Sequence, residues 1–406
     1  MTADRPRKAS VVPWLPGVDV PSGWEATRVK YVIQGLRAGD AISAAEIESS
    51  GEFPVYGGNG LRGYTTGFTH DGTYLLIGRQ GALCGNVHLV DGQFWASEHA
   101  MVGAVSADVD ARWLTYLLRA MNLGQYSVTA AQPGIGVAQV QALDLYCPPP
   151  AEQRAIADFL DEQTSRIDTL IDKQTQLIDT LRERASTVAA AAIRNATAPR
   201  IALRRLGHTG GGAGFPHEHQ GQTGQPLPFY KVKALSSADR RGVLRDAPDT
   251  VDYATAEALG ATVFPAGSIV YAKVGAALML GRIRALPRPA CIDNNLAAFV
   301  PGPKINADYA RHALAQLPFR AVVNPGAVPS LSDRHVLDFR VPLPSLSDQI
   351  ATVSRLDKET SQIDALIDKA EQHISLAMER RAVLITAAVT GQIDVRAAGR
   401  AATVGA

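Results

Sequence analysis

Two groups of residues in this chain combine side chains that are able to do chemistry. His217-Glu218-His219 offers two imidazoles and a carboxylate, which are zinc ligands in many proteins. Cys84, with His88 or His99, offers a thiol nucleophile and a base. No further ligand lies near the two histidines in the sequence, and a lone cysteine is more often a buried apolar residue. We therefore interpret both groups as structural and predict no metal site.

Two catalytic sequence patterns are missing. The chain has no Gly-x-x-x-x-Gly-Lys-Ser/Thr, the pattern that binds nucleotide phosphates. It also lacks the Asp/Asn-Pro-Pro-aromatic pattern of amino-methyltransferases, to which residues 324–326 (NPG) come closest. We therefore expect no catalytic residue and no cofactor in this chain. An enzyme acting alone, such as a nuclease, is an alternative that incubating the purified chain with DNA and metal would test.

Composition indicates a globular chain with more than one domain. The 406 residues are 46% hydrophobic and 19% charged, which is enough for two or three domains with their own cores. No run of 18 apolar residues occurs, so no membrane helix is expected. Cys84, Cys147 and Cys291 are too widely spaced for a disulfide framework, which favours a reducing cytoplasm.

Charge is distributed unevenly along the chain. Residues 25–147 contain 7 Lys and Arg against 11 Asp and Glu, a net charge of −4. Residues 199–344 contain 17 against 10, a net charge of +7. The second region is thus the one able to present a broad phosphate-contacting face. The first region would have to concentrate its few basic groups on one side.

The chain contains a long internal repeat. Residues 153–173 (QRAIADFLDEQTSRIDTLIDK) recur 196 positions later as residues 349–369 (QIATVSRLDKETSQIDALIDK), with 12 of 21 positions identical. Solenoid repeats have periods of only about 20–50 residues. This period therefore indicates the duplication of half a molecule, a design suited to a target that also has two halves.

Each copy of the repeat is predicted to begin a long helix. Residues 151–194 follow three prolines and span 44 residues, or about 66 Å of helix. The second helix begins after Pro344 and ends at Gly391, a residue typical of helix C-caps. Apolar residues recur at coiled-coil spacing in both helices. The predicted helix-pair seam consists of Leu160, Ile167, Ile171, Ile178, Leu181, Val188, Leu356, Ile363, Ile367, Ile374 and Leu384.

A long helix with an apolar seam needs a partner. The other copy is the nearest candidate, and a domain between the two helices favours an antiparallel intramolecular pair. Packing of each helix into its own domain, or pairing between molecules, is the alternative. Asp168 and Asp172, four residues apart, repel one another and lack a pocket, so we interpret them as surface charges.

The predicted fold class is α+β, with two strand-rich domains separated by two long antiparallel coiled-coil helices in a pseudo-twofold internal repeat. Residues 72–78 and 267–273 are expected to form matching strands, and residues 143–148 and 337–342 to be matching ends. The predicted segments are a first domain at 1–150, a first helix at 151–198, a second domain at 199–344, a second helix at 345–395 and a flexible tail at 396–406.

Five short motifs are distributed along the chain: residues 21–25 (PSGWE), 53–60 (FPVYGGNG), 148–161 (PPPAEQRAIADFLD), 227–232 (LPFYKV) and 384–394 (LITAAVTGQID). Through these motifs the sequence resembles the specificity subunit of a type I restriction-modification system, over nearly the whole chain. One departure is Asp348 at the position of Glu152, a conservative difference.

The resemblance implies a non-catalytic subunit with two target-recognition domains, which the two helices hold apart. The implied partners are double-stranded DNA, two modification (methyltransferase) subunits, and restriction (nuclease and translocase) subunits. S-adenosylmethionine, ATP and Mg are then expected on those partners and not on this chain. The alternative is a coiled-coil interaction scaffold or decoy that binds the same subunits without recognising DNA.

Base recognition needs side chains that match the donors and acceptors at base edges: Arg for guanine, and Asn or Gln for adenine. Positive charge in the second domain favours phosphate contacts there. Each candidate could equally be a solvated surface residue. The candidates are Asn59, Arg62, Arg79, Gln80 and Gln132 in the first domain and Lys231, Lys233, Arg240, Arg241, Lys273 and Asn324 in the second.

The spacing between two half-sites is expected to depend on helix length. A helix of about 66 Å corresponds to roughly 19 base pairs as an upper bound, so a split target with a non-specific spacer is predicted. Deleting one heptad from both helices should shorten that spacer, because the helices set the distance between the domains. Mapping methylated adenine in cells that carry the variant measures the spacer, and an unchanged recognition sequence would contradict the prediction.

Overall fold

The computed structural model describes residues 6–127, 133–245, 247–324 and 328–395. The chain divides into two compact units. The first unit contains the residues up to Lys173 together with those from His373 onward, and the second contains Gln174–Gln372. Each of the two long helices therefore contributes one part to each unit.

The first domain is built mainly from short strands. Its central sheet has the order β4-β11-β8-β9 and is antiparallel, and a second sheet has the order β6-β5-β10-β7 with β5 and β10 parallel. The strands are β1 (Arg7–Ala9), β2 (Asp19–Pro21), β3 (Glu25–Arg28), β4 (Ile33–Ala38), β5 (Phe53–Gly57), β6 (Gly60–Thr65), β7 (His70–Asp71), β8 (Tyr74–Gly78), β9 (Val87–Val90), β10 (Gln93–Ala96), β11 (Ala100–Val105) and β12 (Asp144–Cys147). The helices are α1 (Val29–Val32), α2 (Ala111–Ala120) and α3 (Val137–Ala142), followed by the first long helix, α4 (Pro150–Arg194).

The second domain repeats this arrangement. Its central sheet has the order β14-β20-β17-β18, and a second sheet has the order β16-β15-β19 with β15 and β19 parallel. The strands are β13 (Arg200–Ala202), β14 (Gly207–Gly211), β15 (Leu227–Tyr230), β16 (Thr250–Val251), β17 (Ile269–Ala272), β18 (Arg284–Ala285), β19 (Cys291–Ile292), β20 (Leu296–Pro301) and β21 (Arg340–Pro342). The helices are α5 (Tyr253–Ala258), α6 (Ala307–Leu314), α7 (Phe319–Val322) and α8 (Asp333–Asp338), followed by the second long helix, α9 (Leu346–Val389).

Within the first unit the two long helices are antiparallel. Leu160 of α4 shares an apolar core with Ala388 of α9. Further along α4, Asp168 pairs with Arg381 of α9, with Nε and Oδ1 3.0 Å apart. Moving forward along α4 therefore means moving backward along α9. The α9 helix ends at Val389, and Gly391 follows with a φ of +68°, the left-handed conformation that a C-cap glycine adopts, as predicted for this residue.

The same direction holds within the second unit. Arg182 of α4 approaches Glu371 of α9 at 3.5 Å, whereas Ile193 of α4 shares an apolar core with Val353 of α9. The predicted fold class, with two long antiparallel helices and an internal repeat, is confirmed. All eleven residues of the predicted seam are buried or half-buried, from Leu160 at 0% exposure to the half-buried Ile167, Ile171, Val188, Ile374 and Leu384.

The repeat extends well beyond the 21 residues visible in the sequence. From β11 onward, corresponding elements of the two domains begin 196 residues apart: β11 and β20, α2 and α6, α3 and α8, and β12 and β21. The segments between the matching ends differ in sequence but share this order of elements. The same backbone arrangement tolerates different side chains because most positions require only an apolar residue of suitable size.

The expected pairing of residues 143–148 with 337–342 is wrong by two positions. Leu143 accepts a hydrogen bond from Val29 N–H, and the equivalent carbonyl in the second domain is that of Phe339, which accepts from Leu203 N–H. Leu143 therefore corresponds to Phe339 and not to Leu337. The short Leu-Asp match in the two segments is coincidental, since hydrogen bonding sets the register.

A buried glutamine joins the first domain to the start of α4. Gln153 is 1% exposed. Its Oε1 accepts from the backbone N–H of Asp110, the N-cap residue of α2, at 2.8 Å. Its Nε2 donates to the carbonyl of Pro148 at 2.8 Å. The amide thus satisfies two buried backbone groups that would otherwise lack partners.

The second domain has the same arrangement. Gln349, which is 0% exposed, accepts from the backbone N–H of Asn306, the N-cap residue of α6, at 2.8 Å. Its Nε2 donates to the carbonyl of Pro344 at 2.9 Å. By contrast, the residues just before the two glutamines differ. Glu152 is buried and accepts from Trp24 Nε1, whereas Asp348 is exposed and accepts from Ser345.

Replacement of the first buried glutamine should destabilise the first unit. Gln153→Ala leaves a buried N–H and a buried carbonyl without partners, so we expect the free energy of unfolding to fall by about 1–3 kcal/mol. Urea denaturation followed by circular dichroism measures the change. Gln176→Ala, at an exposed position of the same helix, is the matched control. Equal effects of the two substitutions would contradict this role of Gln153.

Candidate nucleic-acid interface

A cleft opens beside the end of β5 in the first domain. Its volume is about 500 Å³. The turn between β5 and β6 forms one wall, and the loop after β8 forms the other. The two walls approach closely because Gly78 has no side chain: a Cβ there would lie 2.2 Å from the carbonyl oxygen of Gly58. The lining residues are Gly58, Asn59, Gly60, Leu61, Arg62, Gln80, Gly81, Ala82, Leu83 and His99.

Three of the predicted DNA-binding residues meet in this cleft. Asn59, Arg62 and Gln80 all line it, and all three are exposed. Asn59 is oriented by Asn86, whose Nδ2 donates to Asn59 Oδ1 at 2.7 Å. One guanidinium and two amides in one concave site provide the donor and acceptor groups that base edges require. We therefore regard this cleft as the main candidate interface of the first domain.

The sequence prediction missed the apolar rim of this cleft. Leu61 is 52% exposed and Leu83 is 49% exposed, an unusual position for large apolar side chains at a polar cleft. The available signal was that Leu61 directly follows Gly60 and that Leu83 lies two residues after Gly81. Such residues are able to contact a thymine methyl group or to insert between base steps.

The remaining predicted residues of the first domain differ in position. Arg79 is half-buried, and its backbone bonds to His99 and Ile135 hold the loop that carries Gln80. Its side chain does not line the cleft. Gln132 lies outside the described residues.

In the second domain, Lys231 and Lys233 line a cavity of about 260 Å³. Lys231 Nζ is held in place by Asp249 at 2.9 Å and by Gln220 Oε1 at 2.8 Å. Lys233 is exposed. Arg245, also on this cavity, was not among the predicted residues. Lys233 and Arg245 are therefore the cationic groups of this cavity that reach solvent.

The two cavities share the position of one wall. Ser97 N–H donates to Tyr56 O at the end of β5, and Asp293 N–H donates to Tyr230 O at the end of β15. Tyr56 and Tyr230 are thus equivalent, and the segment that follows each tyrosine lines a cavity in its own domain. The opposite walls differ, since residues 80–83 form that wall in the first domain, whereas Arg245, Pro248 and Asp249 contribute to it in the second. Counting from these tyrosines, Asn59 corresponds to Lys233.

The other predicted residues of the second domain lie elsewhere. Arg240 contacts Asp368 of α9, and its Nη1 also donates to the carbonyl of Asp364 at 3.0 Å. The hydrogen bond with Asp368 is the main reason that the pKa of Arg240 is raised. Its neighbour Arg241 is exposed. Arg240 therefore fastens a loop of the second domain to α9 within the second unit.

Lys273 and Asn324 both flank the segment at Ser330 and Leu331. Lys273 O accepts from Leu331 N–H at 2.8 Å, and Asn324 N–H donates to Ser330 O at 2.8 Å. Neither residue lines the cavity of Lys233. The six predicted residues of the second domain thus lie in three separate places. The sheets determine where each loop lies, and a shared positive charge does not bring the loops together.

The residues considered first for chemistry have structural surroundings. His217–His219 form a single helical turn, and within the described ranges no three His, Cys, Asp or Glu side chains are arranged to hold a metal ion. Cys84 is buried, and burial raises the pKa values of the Cys147 and Cys291 thiols to about 11.

In the part of the chain that the structure covers, no helix is long and apolar enough to span a membrane.

Parts of the sequence are similar to known proteins. Residues 21–179 match the family model of the type I restriction modification DNA specificity domain. The type I restriction enzyme EcoprrI specificity subunit of Escherichia coli is 48% identical over 142 residues, or 34% of each chain. A putative type I restriction enzyme specificity subunit of Haemophilus influenzae is 27% identical over 124 residues, 30% of this chain and 32% of that one. The chain therefore spans about a third of the length of the curated relatives it matches.

The fold likeness extends over almost the whole chain. A solved chain from work on complex assembly and conformational transition of the type I R-M system superposes with a TM-score of 0.68 at 15% sequence identity, over 93% of this chain and 100% of that one. Residues 21–179 are therefore similar to a DNA specificity domain of the type I restriction-modification class. Over the rest of the chain the likeness is one of fold.

Lowering the pH should reduce the free energy of unfolding of the second domain, because Asp249 beside its cavity loses its charge. Burial opposes ionisation of this carboxyl group, but hydrogen bonds from Gly221 N–H and Lys231 outweigh burial, so its pKa is lowered. A carboxyl whose pKa is lower in the folded chain stabilises the fold above its ordinary pKa, and this stabilisation is lost as pH falls through the folded value.

We therefore expect Asp249→Asn to lower the free energy of unfolding at pH 7 by about 1–3 kcal/mol. The difference from the unsubstituted chain should shrink once the pH falls below about 3.9. Denaturation at a series of pH values measures both effects. Asp172→Asn, at an exposed helix position, is the control. A difference that stayed constant down to pH 2 would show that charge on Asp249 does not matter.

Proposed function

We propose that this chain is the DNA sequence-specificity subunit of a type I restriction-modification complex. It recognises a split DNA target, one half with each domain. It recruits two methyltransferase subunits and the nuclease and translocase subunits. The chain itself is non-catalytic in this proposal, and S-adenosylmethionine, ATP and Mg belong to the partner subunits.

The observation that carries the proposal is a cavity beside the end of the parallel-paired strand in each domain. One wall of each cavity is the segment that follows the equivalent tyrosine, Tyr56 or Tyr230. Their contents differ, however: Asn59, Arg62 and Gln80 in the first domain, Lys233 and Arg245 in the second. Two copies of one fold with unlike polar side chains suit two half-sites of unlike sequence.

The charge of the two domains supports the same division. The second domain has the positive net charge, and its exposed lysine and arginine suit phosphate and guanine contacts. The first domain has a negative net charge, so Arg62 is a scarce cation placed inside the cleft. We expect the first domain to depend more on amide contacts to bases, and the second more on phosphate contacts.

Comparing modified bases in the host genome with and without this gene tests the function. Loss of methylated adenine at one split motif is the expected result, and it reveals both half-sites. If the partner subunits assemble with the chain while no motif depends on it, the chain acts as a scaffold. DNA cleavage by the purified chain alone, with metal present, would contradict a non-catalytic role.

Substitutions in the two cavities should affect opposite halves of the target. The pair Asn59→Ala and Arg62→Ala should relax only one half-site, and the pair Lys233→Ala and Arg245→Ala only the other, because removing a side chain that binds a base costs about 1–3 kcal/mol of discrimination. Methylation mapping with each variant measures this. Arg166→Ala, which removes an exposed arginine that pairs with Glu162 on the same helix, is the control. Changes in both halves from one cavity would contradict the assignment.

A further inference from the structure

A second polar cavity lies in the first unit, on the other side of the loop that supports the candidate cleft. Its volume is about 340 Å³. Arg119 at the end of α2 and Arg381 of α9 line it from two different elements, and His88 of β9 lines it from a third. The full set of lining residues is Gly85, Asn86, Val87, His88, Arg119, Asn122 and Arg381.

The two arginines are incompletely neutralised. Arg381 pairs with Asp168 at 3.0 Å, and that carboxylate is 51% exposed. Arg119 donates from Nε to the carbonyl of Val87 at 2.9 Å, and in the described residues it forms no ion pair. Only one of the two guanidinium groups is thus paired with a carboxylate in the described residues. Partial burial lowers the pKa of Arg119, and the charge of Arg381 acts in the same direction.

His88 lies beside the arginines but offers no group to an anion in this cavity. Its ring lies against Gly60 of the candidate cleft, where a Cβ would be 3.2 Å from His88 Cε1, and its Nε2 is buried. Burial lowers the pKa of this imidazole, and the charge of Arg119 lowers it further. The ring is therefore neutral at pH 7, and the two arginines supply the positive charge of the cavity.

The repeat shows that the arginines are not needed to build the fold. At the constant offset of 196 residues, Arg119 corresponds to Ala315 at the end of α6. Arg381 of α9 corresponds to Ala185 of α4. The second copy of the frame folds with alanine at both positions. The cationic cavity is thus an addition to the first unit and not part of the shared packing.

We propose that this cavity is an oxyanion site that binds a phosphate group through Arg119 and Arg381. Guanidinium groups bind phosphate oxygens with paired, charge-assisted hydrogen bonds. Arg119 is exposed, so an anion can enter from solvent. The phosphate is either inorganic phosphate or a phosphate of the DNA backbone. The backbone is within reach because Asn86, which lines this cavity, donates to Asn59 of the cleft.

The first experiment uses inorganic phosphate and the full chain without DNA. Isothermal titration calorimetry at constant ionic strength should show one site in the unsubstituted chain. Arg119→Ala should weaken binding by about tenfold or more, since it removes a charge-assisted hydrogen bond to the anion. Arg119→Lys should retain part of the affinity. Arg166→Ala, the exposed control, should bind as the unsubstituted chain does.

Asp168→Asn separates ligand binding from a purely structural role. Removing this carboxylate frees Arg381, so phosphate affinity should rise, whereas a structural ion pair would give only a less stable chain. The chain's folding is checked by circular dichroism for every variant. Arg119 is the safer position for the loss-of-binding variant, because within the described residues it forms no ion pair that folding could require.

The second experiment identifies the source of the phosphate in the assembled complex. If the backbone occupies the site, phosphate should compete with DNA, and Arg119→Ala should reduce the slope of log affinity against log salt by about one. If free phosphate is the ligand, it binds without affecting DNA. Absence of phosphate binding, together with an unchanged salt slope, would overturn the proposal. This DNA arm rests on the proposed function, but calorimetry of the chain alone does not, so the two can fail separately.

Discussion

Two buried glutamines determine how each domain joins its long helix. Gln153 and Gln349 each receive the backbone N–H of a helix N-cap residue and return a hydrogen bond to a proline carbonyl. Both side chains are at most 1% exposed, so water cannot replace them. Because a buried backbone group without a partner costs about 1–3 kcal/mol, few other side chains are compatible with this position. The attachment of domain to helix is consequently the same in both copies.

The ion pairs between each domain and its long helix differ between the two copies. Arg112 contacts Asp158 and Asp161 in the first unit, and Arg240 contacts Asp368 in the second. These side chains are largely solvent-exposed, and such pairs contribute only about 0–1 kcal/mol each. The apolar cores and the glutamines therefore dominate. Evolution has been free to change the ion pairs between the copies, and the polar groups at the strand ends as well.

The strand ends illustrate how one frame carries two different cavities. Tyr56 and Tyr230 accept the same backbone hydrogen bond at equivalent strands, and the following segment lines a cavity in each domain. The polar residues Asn59, Arg62 and Lys233 in these segments are exposed and lie outside the apolar cores, so their side chains can vary without loss of core packing. In the first domain the additional arginines Arg119 and Arg381 lie behind the same loop. This makes the first unit cationic at one place despite its negative overall charge.

The sequence by itself determined the long helices and the duplication, because heptad spacing, flanking prolines and Gly391 are local signals that act through the backbone. It also indicated the family through short motifs, and it selected Asn59, Arg62 and Gln80, which the structure brings into one cleft. The sequence does not predict contacts between distant segments. Its motifs match Leu143 with Leu337, whereas the hydrogen bonds match Leu143 with Phe339. The clear sequence repeat is shorter than the repeat of the fold, and nothing near Arg240 in the sequence indicates its contact with Asp368. Only the tertiary structure decided these points, because sheet register and the meeting of separate loops depend on packing across the fold, which neighbouring residues in the sequence do not encode.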